Sequence, residues 1–172
     1  MRRHTLGYPN QEARQSLADY VLYYFTKPPV EQINNAFALY ESLRDLDMDR
    51  LHEIFHSFFV SIPYDWYKEQ QTAGYEAYYA SIVYCYFAAT GIDVRPEVHS
   101  NKGRLDLLVR LDNRVYVIEF KVVEQCGEEK ALERIKSKGY AEQFAGREIY
   151  LIGVEFSSEK RNIESFEWEK AG

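Results

Sequence analysis

Apolar residues recur at two different spacings along this chain, and the change of spacing divides it. Over Gln11–Phe25, Leu17, Tyr20, Val21, Tyr24 and Phe25 fall on one side of a helix, with Asn10 placed as its N-cap. Thr26-Lys27-Pro28-Pro29 ends it, because proline cannot continue the hydrogen-bond ladder. A second helix is expected over about 30–44, with Ile33, Phe37, Tyr40 and Leu43 in line. A third, over about 48–62, is capped by Asp47 or Asp49 and carries Leu51, Ile54, Phe55, Phe58 and Phe59. Residues 63–74 read as a loop in which Tyr64, Trp66 and Tyr67 close these helices onto the next domain. A long helix then runs from Tyr75 to Ala89 and stops at Gly91. Beyond Gly91 the period drops to two. Val94–Ser100, Arg104–Leu111 and Arg114–Val122 read as strands, and a helix is expected over Glu128–Phe144, packing through Leu132, Ile135 and Gly139. Glu148–Phe156 is a nearly continuous apolar run, suited to a buried central strand, and Asn162–Glu169 alternates as an edge strand.

The stretch Gly103–Lys121 carries the chemistry. Its two strands meet at Asp112-Asn113, residues that tolerate positive φ and allow a two-residue turn. That turn sets a register in which Asp106 lies opposite Glu119, and Arg104 opposite Lys121. Asp106, Glu119 and Lys121 then share one face, while Leu105, Leu107, Val109, Tyr116, Ile118 and Phe120 point the other way. Carboxylates directly opposed across an antiparallel pair sit about 4.5–5.5 Å apart at Cβ and repel. A cation between them relieves the repulsion, and hard oxygen ligands suit Mg²⁺ or Mn²⁺. Lys121 adds a positive charge where an anionic transition state can use it. The plainer alternative is a solvated sheet face with an incidental Asp–Glu pair and a lysine salt bridge.

Composition changes the picture modestly. With 172 residues, 46% of them hydrophobic, the chain can bury one substantial core. No apolar run is long enough to span a membrane, and no leader resembling a signal peptide is visible. Cys85 and Cys126 form neither a metal spacing nor a disulfide framework, so a reducing cytoplasm is the simplest home. A net charge of −6 argues against non-specific nucleic-acid binding by the whole surface, though not against a local basic groove. The many tyrosines and phenylalanines are assigned to the core before base stacking. His52 and His56 stand four apart on one helix face, but no third ligand accompanies them, and packing is the preferred reading. His99 is read as an edge-strand residue. Lys102 and Arg104 either steer a phosphodiester backbone or form a solvated strand end. Glu76 continues the stripe of Ala80, Val83 and Phe87, so it either faces the site or merely favours the helix dipole. After the hairpin, Lys136, Tyr140 and Gln143 cluster on one helix flank.

Gly-Arg-Leu-Asp at 103–106, a short turn, and Ile-Glu-Phe-Lys at 118–121 together resemble the central signature of the PD-(D/E)XK nuclease superfamily. Asp106 matches its first acidic position and Glu119-Phe120-Lys121 its E-x-K. More narrowly, GRLDLLV, VYVIEFKV, AL-x-x-IKSKGY and YLIGVEFS resemble a branch in which the nuclease-like domain follows an AAA-type ATPase-like domain in one long chain. The early YPNQEARQSL fits that branch too. The resemblance implies a restriction-endonuclease-like α/β fold, a mixed sheet flanked by helices, preceded by an N-terminal helical annex. Residues 1–70 would be annex and linker at the junction to an ATPase-like domain, and 71–172 the nuclease-like domain. Implied chemistry is Mg²⁺- or Mn²⁺-dependent phosphodiester hydrolysis in nucleic acid, with DNA preferred. Asp106, Glu119 and the Phe120 carbonyl would ligate the metal, with Lys121 and Glu76 assisting. Tyr140, within the KGY element, would contact substrate. Where the branch carries Gln this chain has Arg134, which removes one polar contact and offers a phosphate ligand instead; Gln143 is a candidate to compensate. The competing expectation is a nuclease-like domain serving as a binding or assembly module. Oligomeric state is not legible.

Overall fold

The computed structural model describes residues 8–25, 29–60, 75–100, 103–124, 129–139, 143–144 and 146–172. Four helices lead: α1 (Gln11–Phe25), α2 (Pro29–Asp45), α3 (Met48–Val60) and α4 (Tyr75–Ala89). Next come β1 (Asp93–Ser100), β2 (Gly103–Leu111), β3 (Arg114–Val122), α5 (Ala131–Ser137), β4 (Glu148–Ser157) and β5 (Asn162–Lys170). The strands form one sheet in the order β1-β2-β3-β4-β5. Among the described strands only β3 and β4 pair in parallel, which fits a connection that crosses over through α5. This is the expected mixed sheet flanked by helices.

The two faces of the sheet are covered differently. On one, Leu107, Val109, Tyr116, Ile118, Phe120 and Phe156 join a continuous cluster with side chains of α2, α3 and α4. Its aromatic centre includes Phe58 stacked on Tyr86, Phe59 edge-on to Tyr79, and Tyr79 stacked on Phe156. Each such ring buries a large apolar area, and truncating one to alanine typically costs about 3–5 kcal/mol. On the other face a smaller cluster gathers Leu108, Val115, Val117, Ile149 and Leu151 under Leu132 and Ile135 of α5. His52 stacks on Phe166 with ring centroids 5.0 Å apart, so the packing reading of that histidine holds.

Local signals explain most boundaries. Asn10 Oδ1 accepts the Ala13 N–H at 2.8 Å, and Asp47 Oδ1 accepts the Arg50 N–H at 3.0 Å, so both helices start on their expected caps. The hairpin turn is the two-residue Asp112-Asn113, with Asp112 at φ 52° and Leu111 paired to Arg114.

Four expectations need correction. The helix expected over Glu128–Phe144 is only Ala131–Ser137; Lys138 caps its end and Gly139 turns away at φ 56°, acting as a stop rather than a packing position. Leu17 and Tyr20 are exposed, and α1 instead buries Ala18. Polar anchors explain that orientation: Gln11 donates to Gly91 O at 2.7 Å and Arg14 to Ile92 O at 2.8 Å. Phe37 is exposed too, because α2 turns Leu39, Ser42 and Leu43 inward. Finally, Leu105 packs with Leu108 beneath α5 rather than with Leu107 and Val109, so the strict alternation of β2 is lost at Asp106.

Candidate metal centre

The hairpin is a ladder at one end and a mouth at the other. Pairing runs from Leu111↔Arg114 at the turn to Leu107↔Ile118. Asp106 and Glu119 come next, where each strand keeps only its outer neighbour. Beyond that point β2 follows β1 through Val98↔Leu105 and His99↔Arg104, while β3 follows β4 through Glu119↔Gly153 and Lys121↔Glu155. Arg104 therefore does not pair with Lys121. In the mouth, Asp106 Oδ2 accepts the Phe120 N–H at 2.9 Å, taking the place of a ladder carbonyl.

Helix α5 closes one side of this mouth. Gly153 permits the approach: a Cβ there would lie 2.4 Å from the Leu132 backbone nitrogen. Glu155, on the same face of β4, accepts the Ala131 N–H at 3.0 Å and holds the start of the helix, where Lys130 provides no side-chain cap. So seated, α5 aims Arg134 and the following Lys138 at one atom. Arg134 Nε lies 2.8 Å and Lys138 Nζ 3.1 Å from Glu119 Oε1. Lys138 Nζ also donates to Arg104 O at 3.3 Å.

Glu119 is fully buried, and its Oε2 has no hydrogen-bond partner among the described residues. Burial pushes its carboxyl up to about 7, the Asp106 carboxylate pushes the same way, and Arg134 and Lys138 oppose both. Burial also raises Asp106, against the Phe120 N–H and the charges of Arg134, Lys138 and Arg104. Two carboxylates whose proton affinities are both raised by burial, one with a buried oxygen that has no partner among the described residues, form a site with room for a further cation ligand. A buried acceptor left unmade costs about 1–3 kcal/mol. Hard oxygen donors of this kind fit Mg²⁺ or Mn²⁺, with the Phe120 carbonyl as a third candidate ligand. Among the described residues no group of three or more His, Cys, Asp or Glu side chains gathers to hold a metal. Water and substrate phosphate would complete the shell, as is usual for Mg²⁺.

The other candidate residues have varied surroundings. Lys121 is buried, and its ammonium donates to the Glu129 carbonyl and lies 3.4 Å from Glu129 Oε2. Arg104 and Gln143 are exposed, the latter in a short turn beyond α5. Arg134, expected on substrate, sits on Glu119. Glu76 lies in the first turn of α4, but its side chain, like that of His99, is outside the described residues, as are Lys102, Tyr140 and the loop with Tyr64, Trp66 and Tyr67. Sequence reasoning missed Lys138 and Glu155. Lys138 is four residues after Arg134 and so shares its helix face. Glu155 is a charge interrupting an apolar strand.

A mixed sheet with an acidic mouth on its central hairpin, crossed over by a helix bearing cations, defines the class. The sequence profile of the PD-(D/E)XK nuclease superfamily matches residues 74–166, and the chain belongs to that superfamily. It is also 41% identical, over 99% of its own length, to a protein of Azotobacter chroococcum mcd 1 described as an uncharacterized protein in the vnfD 5′ region. The chain spans 33% of that relative's length.

Proposed function

We propose that the chain is a divalent-metal-dependent nuclease that hydrolyses phosphodiester bonds, with DNA as the preferred substrate. The observation that carries this reading is the buried Oε2 of Glu119, without a hydrogen-bond partner among the described residues, beside Asp106. Asp106, Glu119 and the Phe120 carbonyl would hold Mg²⁺ or Mn²⁺. Bound there, the cation supplies charge neutralisation at the phosphate and a water of lowered pKa. Asp106 is oriented by the Phe120 N–H on its Oδ2, which leaves Oδ1 as the oxygen available to the metal. Lys121 is the candidate to orient the attacking water or meet the developing charge, leaving Glu129 to do so. Arg104, Lys102, Tyr140 and Gln143 are the candidate backbone contacts, and Glu76 the candidate for a further carboxylate role.

The relative's greater length supports a further part of the proposal, that the nuclease-like unit of residues 71–172 works within a longer protein; the ATPase-like domain beside it, with 1–70 as the junction, rests on the sequence resemblance alone. The cytoplasm is its proposed location. No helix among the described residues is long and apolar enough to cross a membrane.

One observation favours the second reading, a nuclease-like binding module: Lys121 is engaged by Glu129 rather than by the acidic pair. Incubating the chain with supercoiled DNA, linear DNA and RNA in Mn²⁺ separates the two. Cleavage lost in Asp106→Asn, Glu119→Gln and Lys121→Met supports the nuclease. Retained nucleic-acid binding with no cleavage in any metal supports the module.

A further inference from the structure

The least expected feature of the mouth is that Glu119 already holds two cations. Arg134 and Lys138 both reach the same oxygen, Oε1, at 2.8 and 3.1 Å, and leave Oε2 bare. A structural ion pair buried this deeply would normally spread its donors over both oxygens, since the second lone-pair set is otherwise wasted. Both cations come from α5 and its end, whereas the acidic pair comes from the hairpin. The side chains of Arg134 and Lys138 are 31% and 19% exposed, against 0% for Glu119, so they reach inward from the solvent side. Their withdrawal therefore needs only side-chain rotation, with α5 kept in place by Leu132, Ile135 and the Glu155 contact to Ala131.

We propose that Arg134 and Lys138 are internal counter-ions that stand in for the divalent cation on Glu119, and that they leave this oxygen when metal binds. This inference rests on the metal-site reading of the hairpin mouth. It makes α5 a determinant of metal affinity: the free protein is stabilised by the Lys138 hydrogen bond and the Arg134 ion pair on Glu119, which the loaded protein gives up. It also assigns Lys138 a role. Once off Glu119, its ammonium stands at the mouth beside the Arg104 carbonyl, where a phosphate oxygen of the substrate is the natural acceptor. Arg134, four residues earlier on the same face, offers a second, forked donor to the same phosphate.

The two roles give opposite signs. If these side chains position Glu119 as a ligand, removing them weakens metal binding. If they compete with metal, removing them strengthens it. Mn²⁺ is titrated calorimetrically at pH 8 into the 172-residue chain and into Arg134→Gln, Lys138→Met and the double variant, each checked by circular dichroism. The expected result is tighter binding, about tenfold per variant, the scale of one charge-assisted hydrogen bond. Lys138→Arg and Arg134→Lys, which keep the charge, are expected to return towards the wild-type affinity. Unchanged or weaker binding in the folded neutral variants overturns the inference and leaves the metal site standing. Absence of binding in every protein, wild type included, removes the metal-site reading and the inference with it. Binding in the neutral variants alone supports both.

Discussion

Two glutamates five residues apart, Glu119 within β3 and Glu124 just beyond it, meet opposite treatment. Glu124 takes the Ser157 hydroxyl at 2.7 Å and the N–H groups of Ser158 and Glu159 at 3.0 and 3.3 Å, closing the β4–β5 turn. Burial acts to raise its carboxyl, but these donors together hold it down at about 2. Glu119 instead crowds both cations onto one oxygen and is pushed up to about 7. A carboxylate that staples a turn has its lone pairs used by neutral dipoles that stay put. A carboxylate kept for a ligand has an open valence and partners that can leave. The same residue type, on nearly the same piece of chain, is made a turn staple or, on the proposed metal-site reading, a ligand by what surrounds it.

That contrast is broken most sharply by removing charge. Glu119→Gln is expected to lower Mn²⁺ affinity by about 100-fold or more, beyond the 10–100-fold typical of an outer-shell loss. Glu124→Gln should leave the affinity within about twofold of wild type, because it touches only the turn. Calorimetric titration of both reads the difference.

Gly153→Ala tests whether the seat of α5 sustains the contrast. The added Cβ would meet Leu132 backbone at 2.4 Å, a contact that only movement of the helix relieves. A loss of about 1–3 kcal/mol in urea unfolding is expected, together with altered Mn²⁺ affinity as Arg134 and Lys138 shift. Wild-type stability with unchanged metal binding would show that α5 tolerates displacement.

Proton linkage should give the two glutamates opposite slopes in the metal-free protein. Glu119 in the folded chain binds its proton more tightly than the ordinary 4.5, so stability is highest at low pH and falls as pH rises from about 4.5 through 7. The full loss, on the order of 3 kcal/mol, is present by pH 8 and vanishes in Glu119→Gln. Glu124 binds its proton less tightly than usual, so its contribution is present above about 4.5 and disappears as pH falls towards 2. Its solvent exposure limits that contribution to about 1 kcal/mol or less. Urea midpoints of the two variants against pH, with chelator present, read both slopes.

The smallest effect is expected at the paired end of the hairpin. Asp112 sits at φ 52°, a conformation that glycine adopts without penalty. Asp112→Gly should change stability by no more than about 1 kcal/mol and metal affinity not at all, since the ladder from Leu111 to Leu107 separates turn from mouth.

Much of this is legible in the sequence, for identifiable reasons. The two-residue turn sets the register of β2 against β3, and the caps Asn10 and Asp47 set two helix starts, because each depends on local geometry. Exposure is less legible. Leu17 and Tyr20 obey helical spacing yet face outward, since polar anchoring of α1 on Gly91 and Ile92 decides its orientation, and Phe37 faces outward because α2 buries Leu39, Ser42 and Leu43 instead. Two opposed carboxylates are visible in the hairpin's pattern, but the opening of the mouth between them is not. Beyond Leu107 and Ile118 the pairing passes to β1 and β4, a property of the whole sheet that the hairpin's own pattern does not carry. Lys138 escapes notice because the apolar pattern extends α5 to Phe144 and draws attention to Lys136, Tyr140 and Gln143, whereas Lys138, four residues after Arg134, is the lysine that reaches Glu119.

The central claim, that the mouth of the hairpin is a divalent-metal site, is tested most directly by titrating Mn²⁺ into the chain and into Asp106→Asn. Saturable binding by the wild type, and its loss in a variant that still folds, is the expected result. Equal binding by both proteins, or none by either even with a DNA duplex added, would contradict it.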